Sequence, residues 1–162
     1  PHFTAQHYGR VVMTTSSGVF GLPANTSYAA AKGAVIGLMR SLAVAGQPHG
    51  IVVNAIAPAA ATRMAGKTPD ALAAEMEPER VAPMAAYLAH ESCPANGEIY
   101  AAGAGRFAKI FLGSSPGFVT DDSRPSIEQI AAHWDAINAE TGYDVPGDLM
   151  AWSQQFLRHL QG

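Results

Sequence analysis

Two short apolar segments flank one long segment of helical periodicity, and this order restricts the fold of the chain to very few solutions. The first apolar segment spans residues 10–15 and the second spans residues 51–57. Such continuously apolar, β-branched runs predict strands that are buried on both faces. Between them, apolar residues recur every three or four positions over residues 26–45, which predicts a helix. Strand, helix and strand in this order predict a βαβ unit with parallel strands.

The pattern continues with two looser helical zones, at residues 70–76 and 79–90, and a third predicted strand at residues 98–102. The strand ends at Gly103-Ala104-Gly105, which we interpret as a structural turn, because no helix with free N–H groups follows it to hold a phosphate. The sequence therefore predicts an α/β fold with a parallel sheet.

The second part of the chain has a different character. Gly, Ser, Pro and Asp dominate residues 113–125, which predicts a surface linker. Ser126 and Gln129 form a capping-box pattern that opens a helix to about residue 140, and a last amphipathic helix follows Pro146-Gly147. We expect an α/β domain part over residues 1–112, the linker, and a helical extension over residues 126–162.

Composition limits the classes of partner. Of the 162 residues, 48% are hydrophobic and only 14% are charged, which excludes intrinsic disorder. The net charge of −3 and the scattered basic residues argue against nucleic acid and anionic membranes as partners. No apolar run approaches about 18 residues, so we expect no spanning helix. The single cysteine, Cys93, excludes an intrachain disulfide and fits a reducing, cytoplasmic location. The histidines and carboxylates show no metal-ligand spacing, so we expect no metal.

Reactive side chains collect where the first predicted strand leads into the long helix. Thr14, Thr15 and Ser16 stand at the strand end, and Tyr28 and Lys32 stand four positions apart on the helix, hence on one face. Ligands of open α/β sheets bind at the carboxyl ends of the strands. A phenol, an ammonium and a hydroxyl can therefore converge in this place.

The physics of such a group suits proton transfer. A free tyrosine has a pKa of about 10, so a tyrosine that works near neutral pH needs its pKa lowered by roughly three, which corresponds to about 4 kcal/mol. An ammonium about 4 Å away, at an effective dielectric constant near 20, supplies about 4 kcal/mol. A nearby hydroxyl can donate to a substrate oxygen and stabilise its developing charge.

These residues resemble the active-site segment of the classical short-chain dehydrogenases/reductases. The resemblance rests on Thr15-Ser16-Ser17-Gly18, Tyr28-Ala29-Ala30-Ala31-Lys32 and Val53-Asn54-Ala55-Ile56-Ala57-Pro58, and it covers roughly residues 9–112. Thr62-Arg63-Met64 and later pieces are most similar to the (3R)-hydroxyacyl-CoA dehydrogenase units of peroxisomal multifunctional proteins and their bacterial relatives. The resemblance implies a Rossmann-like, doubly wound parallel sheet. It further implies that the N-terminal part of that domain, with its Gly-rich phosphate loop, lies outside this chain, which begins with Pro1.

The resemblance also implies roles for individual residues. Tyr28 would be the catalytic acid/base, and Lys32 would stabilise its phenolate and bind the nicotinamide ribose of NAD or NADP. Residues 58–62 would hold the nicotinamide, with Thr62 hydrogen-bonding its amide. The cofactor-binding set is therefore Tyr28, Lys32, Pro58, Ala59, Ala61 and Thr62.

Two departures from the family pattern leave alternatives open. The family serine stands thirteen residues before the tyrosine, where this chain has Thr15, and Ser16 would replace it if the strand end rotates. The usual Pro-Gly of the nicotinamide loop is Pro58-Ala59, and alanine lacks the freedom of glycine to adopt positive φ.

We expect an oxidoreductase that interconverts a carbonyl and a secondary alcohol, on 3-hydroxyacyl-CoA-like or similar small-molecule substrates. The resemblance implies a homo-oligomer, a dimer or tetramer, in which the alanine-rich face of the Tyr28 helix meets a second copy. The alternative is a truncated, non-catalytic interaction module that dimerises without binding a dinucleotide.

Overall fold

The computed structural model describes residues 1–62 and 69–160, so Arg63 and Met64 of the resemblance lie outside the described residues. In chain order the elements are α1 (His2–Gln6), β1 (Gly9–Thr14), α2 (Thr26–Gly46), β2 (Ile51–Pro58), α3 (Asp70–Ala73), α4 (Ala82–Leu88), β3 (Ile99–Gly103), β4 (Arg106–Ile110), α5 (Ile127–Ala132), α6 (Trp134–Ile137) and α7 (Leu149–Phe156). The predicted strands and the long helix are present within two residues of their expected bounds. The two looser helical zones are shorter than expected, because 3-10 turns at Ala74–Met76 and Pro78–Arg80 replace part of each.

The four strands form one sheet in the order β1-β2-β3-β4. β1 pairs with β2 and β2 pairs with β3, both in parallel, as the βαβ pattern predicts. β4 pairs with β3 in antiparallel and was not predicted from the sequence, so the sheet is mixed rather than purely parallel. Ala104 and Gly105, at φ 49° and 74°, form the two-residue turn between these strands. Positive φ at both positions is the signature of a type I′ hairpin turn.

Helices cover both faces of the sheet. On one face, Ile36 and Met39 of α2 pack against Val53 and Ala55 of β2. On the other face, a second buried cluster is formed by Ile56, Leu88, Cys93 and Ala102. Because neighbouring residues of β2 point to opposite faces, one strand serves both clusters. The three-layer arrangement confirms the predicted α/β, doubly wound fold.

The length and composition of α2 and the following turn would also allow a membrane span. The segment Thr26–His49 has a mean hydropathy of 1.3, although the sequence pattern had excluded a spanning segment because polar residues interrupt it. In the structure Ile36, Met39, Ala43 and Gly46 of this helix are buried. One face of the helix therefore packs on the sheet, while only 22% of the apolar window is buried. Length and composition alone are weak evidence for a membrane span.

Two asparagines fasten β2 to the segment that leads into β3. Asn54 is fully buried; its Nδ2 donates to the carbonyl of Ala95 at 2.8 Å and its Oδ1 accepts from the N–H of Glu98 at 3.1 Å. Asn96 accepts from the N–H of Val53 at 3.0 Å. Since buried polar groups are costly when unpaired, these bonds set the position of the segment that precedes β3.

The chain divides into two compact units, Pro1–Ile110 and Phe111–Gly162. In the second unit the predicted capping box is present, since Ser126 and Gln129 satisfy each other's backbone N–H groups. The helix predicted to reach about residue 140 is instead two short helices, α5 and α6, separated at His133. None of the described residues of this unit is fully buried.

Candidate active site

A cavity of about 750 Å³ opens in the first unit at the carboxyl ends of β1 and β2, where the sequence places the reactive residues. Its polar wall consists of Thr14, Thr15, Ser16, Asn25, Tyr28, Lys32 and Thr62. Its apolar wall consists of Leu22, Pro58, Ala60, Pro78, Val81 and Ala82. The structure thus brings Thr15, Ser16, Tyr28, Lys32, Pro58 and Thr62 together around one space.

The start of α2 positions Tyr28. The Oδ1 of Asn25 accepts from the backbone N–H of Tyr28 at 3.1 Å and caps the helix. An asparagine three residues before the tyrosine is a capping signal that is visible in the sequence, although the prediction of the site did not use it. Tyr28 consequently lies in the first turn of a 21-residue helix, at the positive end of its macrodipole.

Lys32 lies one helical turn after Tyr28, and its ammonium group is fixed by a backbone carbonyl. The Nζ atom donates to the carbonyl of Thr14, the last residue of β1, at 2.9 Å. The same Nζ lies 5.7 Å from the centre of the Tyr28 ring. The i,i+4 spacing therefore brings the two side chains together in one wall of the cavity.

Thr15 is only 1% exposed, although it stands where the family has its catalytic serine. Its Oγ1 donates to the backbone carbonyl of Lys32 at 2.8 Å. A hydroxyl has one proton, so this bond uses the only proton that Thr15 could donate. In this arrangement Thr15 cannot also donate to a substrate oxygen.

Ser16 has the opposite arrangement. It is half-buried in the cavity wall, and its Oγ accepts from the N–H of Gly18 at 3.0 Å, which caps the 3-10 turn Ser17–Phe20. Among the described residues no acceptor takes the proton of this hydroxyl. Of the two alternatives from the sequence, Ser16 is therefore the one with a proton available for a ligand.

Backbone hydrogen bonds hold the loop that follows β2. The N–H of Ala59 donates to the carbonyl of Ala102 at 2.8 Å, and the N–H of Ala61 donates to the carbonyl of Met76 at 2.7 Å. Ala59 and Ala61, both expected to bind cofactor, are thus anchor points outside the lining. Their neighbours Pro58, Ala60 and Thr62 line the cavity, and Ala60 belongs to the expected range 58–62 although it was not named individually.

The missing glycine of the Pro-Gly pair has a structural explanation. Ala59 does not adopt positive φ, so alanine is compatible with the backbone at this position. A glycine is required instead at Gly103, where φ is 153° and a Cβ would overlap the carbonyl oxygen of Ala59. The close approach of the loop to β3 therefore depends on Gly103.

Apart from Pro58 and Ala60 of the expected range 58–62, the apolar wall was not predicted, because its other residues come from segments without a distinctive motif. Leu22 belongs to the loop before α2, while Val81 and Ala82 stand at the start of α4. Lys32 is the one charged side chain in the described lining. The cavity therefore offers a cation and hydroxyls on one side and an uncharged, apolar surface on the other.

The residues present fit the nicotinamide end of a dinucleotide. An ammonium and a tyrosine hydroxyl, which suit ribose hydroxyls, face a loop with exposed Thr62 across a cavity large enough for a flat ring. Over the described part of the chain, no group of three or more His, Cys, Asp or Glu side chains could hold a metal ion.

Sequence and structure comparisons agree on one family. The sequence profile of the short chain dehydrogenases matches residues 1–73. A short-chain type dehydrogenase/reductase of Mycobacterium tuberculosis is 41% identical over 91% of this chain and 52% of its own length. The peroxisomal multifunctional enzyme type 2 of Drosophila melanogaster is 40% identical over 79% of this chain and 21% of its own length.

A solved structure of the full-length Drosophila melanogaster enzyme superposes on 99% of this chain with a TM-score of 0.88 and 33% identity, and the match covers 30% of that protein. The resemblance to multifunctional proteins and bacterial relatives is thereby confirmed. The chain spans about half the length, or less, of the curated relatives that it matches.

Proposed function

Because the chain belongs to the short-chain dehydrogenase family, we propose that its cavity interconverts a carbonyl and a secondary alcohol with Tyr28 as the acid/base. The observation that carries the proposal is the position of Lys32. Its ammonium lies 5.7 Å from the centre of the Tyr28 ring, and the other described residues that line the cavity are uncharged. In the proposed reaction, the ammonium beside the ring stabilises the phenolate that a proton transfer leaves behind.

Three side chains share the proton chemistry in this proposal. During carbonyl reduction Tyr28 gives its phenolic proton to the substrate oxygen, and during alcohol oxidation its phenolate takes that proton back. Ser16 donates a hydrogen bond to the same oxygen and stabilises its developing negative charge. Lys32 keeps its charge throughout and stabilises the phenolate.

NAD or NADP, when bound, supplies or accepts the hydride. Lys32 would hold the ribose next to the nicotinamide, and Thr62, with the anchored loop around it, would hold the amide. The two backbone bonds of Ala59 and Ala61 keep this loop in place before a ligand arrives, which lowers the entropy lost on binding.

The apolar wall supports a substrate with an uncharged chain beside its carbonyl. The chain attached to the substrate carbonyl would lie against an uncharged surface formed by Leu22, Val81 and Ala82. Relatives of this chain are named peroxisomal multifunctional enzymes. On these grounds 3-hydroxyacyl-CoA-like molecules are the substrate class of the proposal.

We also propose that the protein forms a homo-oligomer. The outer face of α2 exposes Leu38, Leu42 and Val44, with exposed fractions of 51%, 43% and 48%. Exposed apolar side chains of this size on a helix are often covered by a protein contact. A second copy that packs on α2 would cover it.

A Tyr28→Phe substitution tests the proposed chemistry, because it removes the proton and keeps the ring. Turnover is measured with NAD(H) and NADP(H) in the protein as expressed from its gene. We expect the rate to fall by about 10²–10⁴-fold. Tyr87→Phe, at an exposed tyrosine of α4, is the matched control and should leave the rate unchanged.

A Tyr28→Phe variant that retains wild-type turnover would refute the acid/base role. Calorimetry separates the enzyme from the non-catalytic module, since the module binds neither cofactor. Micromolar binding of either dinucleotide favours the enzyme.

A further inference from the structure

Two hydrogen bonds link the end of β1 to one turn of α2 in a reciprocal way. The side chain of Lys32 donates to the backbone carbonyl of Thr14, and the side chain of Thr15 donates to the backbone carbonyl of Lys32. We name this pair of bonds the strand–helix clasp. Both bonds are short, at 2.9 Å and 2.8 Å, and one lies at the buried Thr15.

We infer that Thr15 is a positioning residue that acts through Lys32, and does not donate to the substrate. The inference rests on the proposed function of the same cavity. The proton of Thr15 is committed to the Lys32 carbonyl, whereas the side chain of Lys32 carries the charge that the chemistry needs. Thr15 therefore fixes the backbone from which that charge extends.

The clasp restricts Lys32 at both ends. A lysine side chain is flexible and loses rotamer entropy when it is held. Thr15 holds the Lys32 backbone, and the carbonyl of Thr14 holds its Nζ, so the intervening chain has little freedom. A carbonyl oxygen has two lone pairs, and that of Lys32 can accept the threonine bond in addition to its helical one.

The methyl group of threonine suits this role. It stiffens rotation about χ1 and keeps the hydroxyl directed toward α2. A serine at the same place would keep the bond and have more rotamers. The chain thus separates two tasks between neighbours: Thr15 holds the helix, and Ser16 presents its proton to the cavity.

The test is the pH profile of alcohol oxidation, measured under cofactor saturation in the protein as expressed from its gene. Oxidation requires the phenolate of Tyr28, so its rate rises with pH through a midpoint. Thr15→Val removes the hydroxyl and keeps the shape. Because a retreat of the ammonium by about 1 Å weakens its attraction for the phenolate, we expect the midpoint to rise by about 0.3–0.5 pH units. We expect kcat to fall about 3–10-fold.

Thr15→Ser keeps the donor and should restore both the midpoint and the rate to near wild-type values. Thr26→Val, the same substitution at an exposed position of α2, is the matched control and should leave both unchanged. If Thr15→Val does not fold, as judged by circular dichroism, Thr15→Cys replaces it, since a thiol is a weak donor of similar size.

An unchanged midpoint in Thr15→Val overturns the inference, whether kcat is unchanged or reduced. A reduced kcat alone would mean that Thr15 contacts the substrate directly. Tyr28→Phe, assayed in parallel, separates this failure from that of the proposed function. An inactive Tyr28→Phe with an unshifted Thr15→Val rejects only the positioning role, while an active Tyr28→Phe rejects the acid/base chemistry itself.

Discussion

Substitution of Gly103 by alanine tests how the strand ends shape the cavity. Gly103 is buried at the end of β3 and has φ 153°. An added Cβ would overlap the carbonyl oxygen of Ala59 and lie 2.8 Å from its carbonyl carbon and 2.9 Å from its Cβ. All of these atoms belong to the short loop after β2, so relief requires the backbone of that loop to move.

The cost has two parts. A residue with a Cβ in a region of φ that is nearly restricted to glycine costs about 1–3 kcal/mol. The overlap with the Ala59 backbone costs about 1–3 kcal/mol more, as for other overpacked sites. Movement of the loop would also lengthen or break the 2.8 Å hydrogen bond from the Ala59 N–H to the Ala102 carbonyl. We expect Gly103→Ala to lower the free energy of unfolding by about 2–5 kcal/mol. If the cavity binds NAD(H) or NADP(H) as proposed, the substitution should also weaken that binding by about tenfold or more.

Urea unfolding followed by circular dichroism measures the first effect, and calorimetric titration with NAD(H) measures the second. Gly37→Ala is the matched control, because a Cβ there meets nothing within 4 Å and the residue lies inside α2. Alanine is the better helix former, so this control should be neutral or stabilising by up to about 1 kcal/mol. If Gly103→Ala unfolds at the same urea concentration as the wild type, the close approach of the loop to β3 is not a constraint.

Two further substitutions test the sheet. Ala104→Asn should raise the free energy of unfolding, measured in urea, by about 0.5–1 kcal/mol, because asparagine tolerates the left-handed conformation of the hairpin turn better than alanine. An unchanged or lower free energy of unfolding would contradict the type I′ turn. Asn54→Ala should lower the free energy of unfolding by about 2–4 kcal/mol in the same assay, because the N–H of Glu98 and the carbonyl of Ala95 lose their partner in a buried place. A loss below about 0.5 kcal/mol would mean that water replaces the amide there.

The βαβ unit was predictable because both strands contain a continuous apolar run. The expected burial on both faces is present in β2, whereas β1 beyond Gly9 is half-buried or exposed. β2 is apolar at every position except Asn54, which is satisfied by backbone partners, and β1 contains the apolar run Val11-Val12-Met13 between Arg10 and Thr14. The pairing of Tyr28 with Lys32 was predictable for a similar reason, since the helical repeat fixes which residues share a face. Both features depend on local periodicity alone.

The assignment of the two hydroxyls was not predictable, because it depends on side-chain direction at the end of a strand. Counting back from Tyr28 reaches Thr15, but the count does not show which hydroxyl faces α2 and which faces the cavity. The structure directs Thr15 toward the Lys32 carbonyl and leaves Ser16 in the wall. The direction of each hydroxyl depends on contacts with residues that are distant in the sequence. A sequence motif contains only the spacing of its own residues.

β4 escaped prediction for another reason. Its residues, Arg106–Ile110, are mostly exposed and only five in number, so neither a buried run nor a full alternating pattern develops. Its turn is Ala104-Gly105 rather than the Asn-Gly that normally announces a type I′ hairpin. The ion pair between Lys109 of β4 and Glu98, at 2.8 Å, forms across the hairpin and has no sequence signature.

The electrostatic character of the cavity follows from the same few elements. Tyr28 lies in the first turn of α2, where the helix macrodipole presents about half a positive charge. Lys32 adds a full charge one turn later, and the described part of the lining contains no carboxylate to oppose it. In the proposed reaction, these two positive groups act on the anionic oxygen of the phenolate or the substrate. Because the Thr14 carbonyl already holds Nζ, the proposed proton transfer requires little reorganisation of the ammonium group.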